Sequence, residues 1–274
     1  MDARLQHRVQ RYGWDRAAST YERSWQKQLE PAQNRLMEMA VLTAGERVLD
    51  LACGTGLVTF RAADTVGPRG RVIGTDISDG MIEQCTQIAN KLGASHATFQ
   101  RMAAEHLGFD DASFDAVLCG LGMMYVVDFA GAIREMFRVT KPGGRAVSAV
   151  WGRRDRCGWS GIFEIVERRV SSDVCPMFFQ LGTGDLQKLL FEAAGFSGVR
   201  SERIDTTLEY QNGEEACIAA FAGGPVAMAY SRFDDATRAS AYAEYLESIA
   251  AHARGDGYAL PGEFVVTIGY RAEG

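Results

Sequence analysis

The 274-residue sequence predicts an α/β fold, a doubly wound parallel sheet with helices on both faces, and three observations support this. Short apolar segments with strand character alternate with amphipathic helical segments from about residue 46 onward. A glycine-rich turn, Gly54 to Gly56, directly follows the first of these strands, and the second strand ends on Asp76. This order is typical of an open sheet that binds a ligand at the carboxyl ends of its strands.

The individual elements follow from hydrophobic periodicity and from capping signals. Seven strands are expected, at residues 46–51, 71–75, 97–101, 114–119, 145–151, 198–209 and 263–271. Helices are expected between them, notably from Ser78 to Gly93, at 129–139 and at 184–194. The whole chain, residues 1–274, is expected to form a single domain. Three further segments are aromatic and apolar and are expected to form a helical cap on it: residues 1–44, 152–180 and 213–253.

Composition limits the classes of function. Hydrophobic residues make up 47% and charged residues 23%, which is ordinary for a protein with a buried core. A net charge of −6 and a pI near 5.4 argue against a nucleic-acid partner. Six cysteines without a CxxC pair or a His/Cys cluster predict reduced thiols, a cytoplasmic location and no metal site. No apolar run approaches the ~20 residues of a membrane span, and the N-terminus has no signal-peptide pattern.

The glycine-rich turn and the acid suit a nucleoside with a charged tail. Small turn residues let a ligand approach the backbone, and the helix that follows offers unpaired N–H groups. Asp76 can accept hydrogen bonds from both ribose hydroxyls. The alternative is that Asp76 only caps the next helix.

These motifs, in this order, resemble the class I S-adenosylmethionine-dependent methyltransferases, in the branch similar to UbiE-type enzymes. The resemblance covers about residues 14–205 and rests on VLDLACGTG, VIGTDIS, AEHLGF, FDAVLCGLGMMYV and REMFRVTKPGG. It implies a Rossmann-like seven-stranded sheet, S-adenosyl-L-methionine as the cofactor and methyl transfer to a small-molecule acceptor. The family's sheet usually joins its last two strands by a short hairpin. Here some fifty residues separate them, which predicts a functional insertion.

The resemblance also implies a set of cofactor-binding residues. The stretch from Asp50 to Gly56 would surround the methionine portion, and Asp76 would hold the ribose hydroxyls. The two apolar residues Ile77 and Met81 would pack on the adenine, and Tyr21 would help to close the pocket. Cys119, at the end of the fourth strand, would offer its backbone carbonyl to the ammonium group. In chain order the candidates are Tyr21, Asp50, Ala52, Cys53, Gly54, Gly56, Asp76, Ile77, Met81, Ala103, Ala104, Glu105 and Cys119.

One position departs from the family pattern. Similar sequences carry an acid just before the Ala-Glu of the third-strand loop, where it accepts a hydrogen bond from the adenine amine. Here that position is Ala103, followed by Ala104 and Glu105. Backbone groups, water or Glu105 must then read the adenine, and a missing charge-assisted bond costs about 1.5–3 kcal/mol of affinity.

The catalytic residues are not evident from the sequence. A general base is needed only if the acceptor is a phenol, an alcohol or an acidic carbon, and no His–Asp pair marks one. The candidates are Tyr125, Asp128 and His252.

Two other functions share the same layout. A NAD-dependent oxidoreductase would need a third small residue in its dinucleotide fingerprint, where this chain has Thr59. A protein that binds the cofactor without catalysis is the second alternative, because a sequence cannot demonstrate turnover.

Overall fold

The computed structural model describes residues 3–170 and 178–273, and a single mixed sheet lies at its centre. Seven strands follow the order β3-β2-β1-β4-β5-β8-β6, and the two-residue strand β7 pairs with β8. Only β8 runs antiparallel to its neighbours in this path. The predicted seven-stranded, doubly wound fold is therefore confirmed. The strands are β1 Arg47–Leu51, β2 Arg71–Asp76, β3 Ala97–Arg101, β4 Phe114–Gly120, β5 Thr140–Trp151, β6 Ser197–Tyr210, β7 Ala253–Arg254 and β8 Gly257–Tyr270.

The helices also lie close to the predicted positions. Ser78 caps one of them, since its side chain accepts a hydrogen bond from the Met81 backbone N–H, and Gly93 ends it with a φ of 66°. In the described residues the α-helices are α1 Ala3–Ala40, α2 Leu57–Val66, α3 Asp79–Leu92, α4 Phe129–Val139, α5 Ile162–Glu167, α6 Leu186–Ala194, α7 Gly213–Cys217, α8 Ala227–Tyr230 and α9 Asp235–Ser248.

Two strands begin earlier than predicted. β5 includes the Lys-Pro-Gly-Gly stretch, which bulges out between the pairs Phe114–Thr140 and Ala116–Arg145. β8 starts at Gly257 and pairs along the whole of β6. Proline and glycine are uncommon inside strands, and β8 contains a Pro-Gly pair. The predicted strand therefore began only after this pair, and the first half of β8 was missed.

The strand register shows which residues lie together at the carboxyl edge of the sheet. β1 lies between β2 and β4, with Asp50 opposite Gly74 on one side and Leu118 on the other. Because these strands are parallel, their carboxyl ends share one edge of the sheet. Asp50, Asp76 and Gly120 therefore come together there, near or at the ends of three adjacent strands.

The segments predicted to form a cap surround this sheet. Helix α1 packs against α3, β5, β8 and α8. The connection between β6 and β8 contains α7, a π-helical turn at Ile218–Ala222, α8 and α9. Residues 171–177, which belong to the predicted cap and include Cys175, lie outside the described residues, as do residues 1, 2 and 274. None of the helices in the described ranges is both long and apolar enough to cross a membrane.

Candidate functional site

A pocket of about 890 Å³, counted out to its open mouth, lies at the carboxyl ends of β1, β2 and β4. Eleven of the thirteen residues predicted to bind a cofactor line this pocket, and they come from four separate parts of the chain. These eleven are Tyr21, Asp50, Ala52, Cys53, Gly54, Asp76, Ile77, Met81, Ala103, Ala104 and Glu105.

Two predicted residues do not line this pocket. Gly56 is the N-cap of α2 and has a φ of 92°. Cys119 is fully buried inside β4, where it pairs with Ser148 of β5. At the end of β4 the lining residues are Gly120, Leu121 and Gly122, because the chain leaves the sheet there.

Two of the four non-glycine residues with positive φ in the described part of the chain lie at this edge of the sheet. Ala52 and Leu121 both have positive φ, 52° and 67°, in the left-handed region that residues with a side chain rarely adopt. A Cβ built on Gly122 would lie 2.3 Å from the Ala52 Cβ, so the two loops pack as closely as glycine allows. Such strain persists where surrounding structure enforces it, and it clusters at ligand sites.

Asp76 is held by two backbone groups. Its Oδ2 accepts a hydrogen bond from Gly54 N at 3.0 Å, and its Oδ1 accepts one from Ser78 N at 2.9 Å. Because Ser78 is the N-cap of α3, Asp76 does not serve as that helix's cap. Burial raises the pKa of Asp76 to about 6. A carboxylate has further acceptor capacity beyond these two bonds, so it can still bind hydroxyl donors in the pocket.

Asp50 has one unsatisfied oxygen. Thr59 Oγ1 donates to Asp50 Oδ2 at 2.6 Å, whereas Oδ1 is buried and has no hydrogen-bond partner. The residue is only 1% exposed, and burial raises the pKa of Asp50 to about 7. The neighbouring Thr55 hydroxyl is also buried and unpartnered. Buried acceptors almost always have a donor, so the pocket offers a place for a cationic or hydroxyl-bearing group of a ligand.

Helix α1 supplies pocket residues that the sequence did not reveal. His7, Gln10, Trp14 and Gln33 all line the pocket beside Tyr21. The aromatic character of this segment was the only signal, and it did not indicate which residues would face the ligand.

Polar contacts fasten α1 over the pocket. His7 Nε2 lies 2.9 Å from Glu105 Oε1 on the third-strand loop. Asp15 Oδ1 accepts hydrogen bonds from Ser78 Oγ at 2.6 Å and from Gly80 N at 3.1 Å. The start of α1 is thus tied both to the loop after β3 and to the beginning of α3.

A second, smaller and more tightly packed pocket, about 280 Å³ when the open solvent at its mouth is included, adjoins the first. Trp14, Tyr21, Leu121 and Tyr125 line both pockets. The remaining walls of the second pocket come from α1, the turn after β4, β5, the loop after β5 and the segment between β6 and β8. These residues are Trp25, Leu29, Met124, Trp151, Trp159, Gly223, Gly224 and Pro225.

The three candidate bases differ in their relation to the two pockets. Tyr125 lines both pockets. Asp128 caps α4 by accepting a hydrogen bond from Gly131 N at 2.8 Å, and its side chain is 60% exposed. His252 lies in the short turn before β7. Neither Asp128 nor His252 lines either pocket. Within the described ranges, no group of three or more His, Cys, Asp or Glu side chains is arranged to hold a metal ion.

Comparison with known proteins identifies the family of this site. Residues 42–156 match the family model described as "Methyltransferase domain". The chain is 36% identical over 132 residues to aklanonic acid methyltransferase DauC of Streptomyces sp. strain C5, covering 48% of this chain and 60% of that protein. It is 32% identical over 179 residues to demethylmenaquinone methyltransferase of Listeria welshimeri, covering 60% of this chain and 75% of that protein.

The fold is shared with solved structures as well. The crystal structure of the YcgJ protein from Bacillus subtilis covers 89% of this chain and 100% of its own, with a TM-score of 0.61 and 19% identity, which shows a common fold. Several curated relatives are matched over only 41–60% of their own length. The match to three quarters of the Listeria enzyme at 32% identity, together with the family model, shows that this chain belongs to the class I S-adenosylmethionine-dependent methyltransferases, in the UbiE-like branch.

Proposed function

We propose that this chain binds S-adenosyl-L-methionine in the first pocket and transfers its methyl group to a small-molecule acceptor. The observation that carries the proposal is the pairing of two acids in one pocket. Asp76 stands at the end of β2 with spare acceptor capacity, and Asp50 keeps a buried, unpartnered oxygen near the end of the adjacent β1. A ligand with a diol and an ammonium group satisfies both.

Different residues of the pocket are assigned to the ribose, the ammonium group and the adenine of this ligand. Asp76 would hold the ribose hydroxyls, and Asp50 Oδ1 would accept from the ammonium group. Ile77 and Met81 offer apolar surface to the adenine. Glu105 and the backbone at Ala103 and Ala104 line the same side of the pocket, which makes them the candidates for reading the adenine amine.

The sulfonium of the cofactor supplies a strongly electrophilic methyl group. The chain then has to align an acceptor with that group and keep water away. Positioning of this kind can contribute about 7–11 kcal/mol to lowering a barrier. Helix α1, fastened to α3 and to the third-strand loop, covers the pocket and limits the access of water. Of the three candidate bases, Tyr125 is the one placed to act on an acceptor, because it lines both pockets.

The names of the relatives support a small-molecule acceptor. They describe methyltransferases of aklanonic acid and of demethylmenaquinone. The net charge of −6 favours neither nucleic acid nor an acidic surface as a partner. Five cysteines are free and buried, which supports a reducing, cytoplasmic location. We further propose that residues 1–44, 152–180 and 213–253 cap a single domain, since all three contribute walls to the second pocket.

The NAD-dependent alternative is weakened by the site itself. Thr59 occupies the position of the third small residue in the dinucleotide fingerprint, and its hydroxyl is bound to Asp50. The second alternative, a protein that binds the cofactor without catalysis, would be excluded by the detection of methyl transfer.

Transfer of a tritiated methyl group from labelled cofactor to a panel of neutral and charged acceptors tests the proposal. Transfer that is lost in Asp76→Ala supports it. Binding of NAD instead of the S-adenosyl compound, or binding of the cofactor without transfer to any acceptor, contradicts it and selects one of the two alternatives.

A further inference from the structure

The first pocket has no arginine or lysine among the described residues that line it. His7 is the one side chain of this lining that can carry a positive charge, and its Nε2 already lies 2.9 Å from Glu105 Oε1. The amino-acid tail of S-adenosyl-L-methionine carries a carboxylate beside its ammonium group. A cofactor bound here therefore needs neutral donors for that carboxylate.

Gln33 is a buried amide of α1 that lines this pocket. It is 6% exposed, and its side chain forms no hydrogen bond with another described residue. Gln28, earlier on the same helix, is 5% exposed, but its Nε2 donates to the backbone carbonyl of Glu209 at 2.7 Å. Buried polar side chains normally have such a partner, so the Gln33 amide is available to a ligand in the pocket.

This amide belongs to the part of α1 that packs beside the start of α2 and the end of β4. Asn34 Oδ1 accepts a hydrogen bond from the guanidinium of Arg61, on α2, at 2.8 Å. A Cβ built on Gly120, the last residue of β4, would lie 2.9 Å from Val58 Cγ2 and 3.8 Å from Leu36 Cδ1. The three elements therefore meet at this end of the pocket.

The N-terminus of α2 adds a second group that favours an anion. Its first two residues, Leu57 and Val58, line the pocket. No side chain caps this helix, and its first turn contains no acidic residue. The first N–H groups of a helix have no partner within the helix, and the helix dipole places a partial positive charge there. A carboxylate binds well at such a position.

The two charges of the tail are carried by one carbon atom, so the groups that bind them have to be neighbours. Asp50 is the group proposed above to bind the ammonium. It is tied to the first turn of α2, because Thr59 Oγ1 donates to Asp50 Oδ2 at 2.6 Å. The start of α2 and the Gln33 amide beside it are therefore in the right part of the pocket for the carboxylate.

We propose that Gln33 and the N-terminus of α2 together bind the carboxylate of the cofactor's amino-acid tail, with Gln33 Nε2 donating a hydrogen bond to it. This is a carboxylate site without a cationic side chain, and Gln33 is a specificity-determining residue for the tail. The inference rests on the proposed function for the identity of the ligand.

Two ligands that differ only in this carboxylate test the proposal: S-adenosylhomocysteine, and decarboxylated S-adenosylhomocysteine, which keeps the ammonium group. Calorimetry gives the ratio of their affinities for each protein. Gln33→Met keeps a side chain of similar volume but removes the donor. S-adenosylhomocysteine should bind to it about tenfold more weakly, as expected for the loss of one hydrogen bond to a charged group. The decarboxylated ligand should bind as it does to the wild type.

Gln28→Met is the matched control. It removes a buried amide from the same helix, but Gln28 does not line the pocket, so the ratio of the two affinities should stay at its wild-type value. Side-chain ¹⁵N–¹H NMR of the wild-type protein is the second measurement. S-adenosylhomocysteine should move a Gln33 amide proton downfield, and the decarboxylated ligand should not. This measurement decides the matter if Gln33→Met does not fold.

The outcomes separate this inference from the proposed function. If the wild type binds S-adenosylhomocysteine but Gln33→Met keeps the wild-type ratio of affinities, Gln33 serves only the packing of α1 and the assignment is wrong. The same conclusion follows if the Gln33 amide protons respond equally to the two ligands. If the wild type does not bind S-adenosylhomocysteine at all, the proposed function fails first.

Discussion

The backbone N–H of Gly54 donates a hydrogen bond to Oδ2 of Asp76 across 3.0 Å, and this bond links the glycine-rich turn to the acid of the next strand. The two residues are 22 positions apart in the sequence but line the same pocket. The carboxylate accepts a hydrogen bond from the turn, and under the proposed function it would also present an acceptor to the ligand. The first prediction follows from this double role.

Replacing Asp76 by alanine should weaken S-adenosylhomocysteine binding by about tenfold or more, because charge-assisted hydrogen bonds are each worth about 1.5–3 kcal/mol. Asp76→Asn keeps an acceptor without the charge, so its affinity should lie between those of the wild type and Asp76→Ala. Calorimetry measures the affinities. Asp64→Ala, on the exposed side of α2, is the matched control and should bind normally. Unchanged affinity in a folded Asp76→Ala protein would remove Asp76 from the site.

A valine at Gly54 should abolish binding while leaving the protein folded. Gly54 has a φ of 56°, and a Cβ there would have only the Tyr21 ring within 4 Å, at 3.8 Å, so added methyl groups enter the pocket. Gly93→Val is the control, since Gly93 has a φ of 66° and no atom within 4 Å of its Cβ. Left-handed backbone costs a non-glycine residue about 1–2 kcal/mol, so both variants should melt at similarly reduced temperatures.

Titration of Gly54→Val and Gly93→Val with S-adenosylhomocysteine separates strain from steric exclusion. Loss of binding in both, or in neither, would contradict a ligand lying over the turn. Gly56→Val is a poorer test, because a Cβ at Gly56 would lie 2.5 Å from the Phe60 ring and would disturb packing directly.

Cofactor affinity should fall as the pH is lowered from about 7.5 to 5.5. Burial raises the pKa of Asp50 to about 7 and that of Asp76 to about 6, so both become protonated in this range when the pocket is free. The ligand requires the ionised forms, so protons compete with it. Calorimetry at several pH values checks this, and Asp50→Asn should flatten the upper part of the profile. An affinity independent of pH in the wild-type protein would contradict these roles.

The free protein should show the opposite trend in stability. A raised pKa means that the folded state binds more protons than the unfolded state, whose aspartates titrate near 3.9. The free energy of unfolding therefore decreases as the pH rises through about 6 to 7. Thermal melts of the wild type and of Asp50→Asn isolate the contribution of Asp50. Between pH 5.5 and 7.5 the wild type should lose more stability than Asp50→Asn. Identical pH dependence in the two proteins would mean that Asp50 does not titrate there.

Hydrogen exchange should reveal closure around the ligands. S-adenosylhomocysteine alone should slow exchange in residues 50–81 and in α1 around Tyr21, because both line the first pocket. Adding an acceptor should extend the protection to 152–170 and 213–253, whose residues line the second pocket. Protection confined to 50–81 under both conditions would mean that these segments do not close over the ligands.

The sequence predicts the site well where local pattern and function coincide. The strand, the glycine-rich turn and the acid at the end of β2 are local features, and Asp50, Gly54 and Asp76 do line one pocket. Cys119 shows the limit of this reasoning. β4 ends at Gly120, and the residues that line the pocket there are Gly120, Leu121 and Gly122.

The pocket residues of α1 other than Tyr21 could not be predicted, for a different reason. The His7 ring forms a hydrogen bond with Glu105, which is 98 positions away, and Asp15 accepts a hydrogen bond from Ser78. Such contacts depend on how a long helix packs across the finished sheet, and nothing in its own periodicity specifies that. The same holds for the second pocket, because Trp25, Trp151 and Trp159 come together only through tertiary packing.

A crystal structure with S-adenosylhomocysteine bound tests the central claim most directly. We expect the ribose hydroxyls to lie within hydrogen-bond distance of the Asp76 carboxylate. We also expect the ammonium nitrogen at Asp50 Oδ1, the oxygen that is buried and has no hydrogen-bond partner in the free protein. A ligand bound elsewhere on the sheet, or one that leaves Asp50 Oδ1 without a donor, would contradict it.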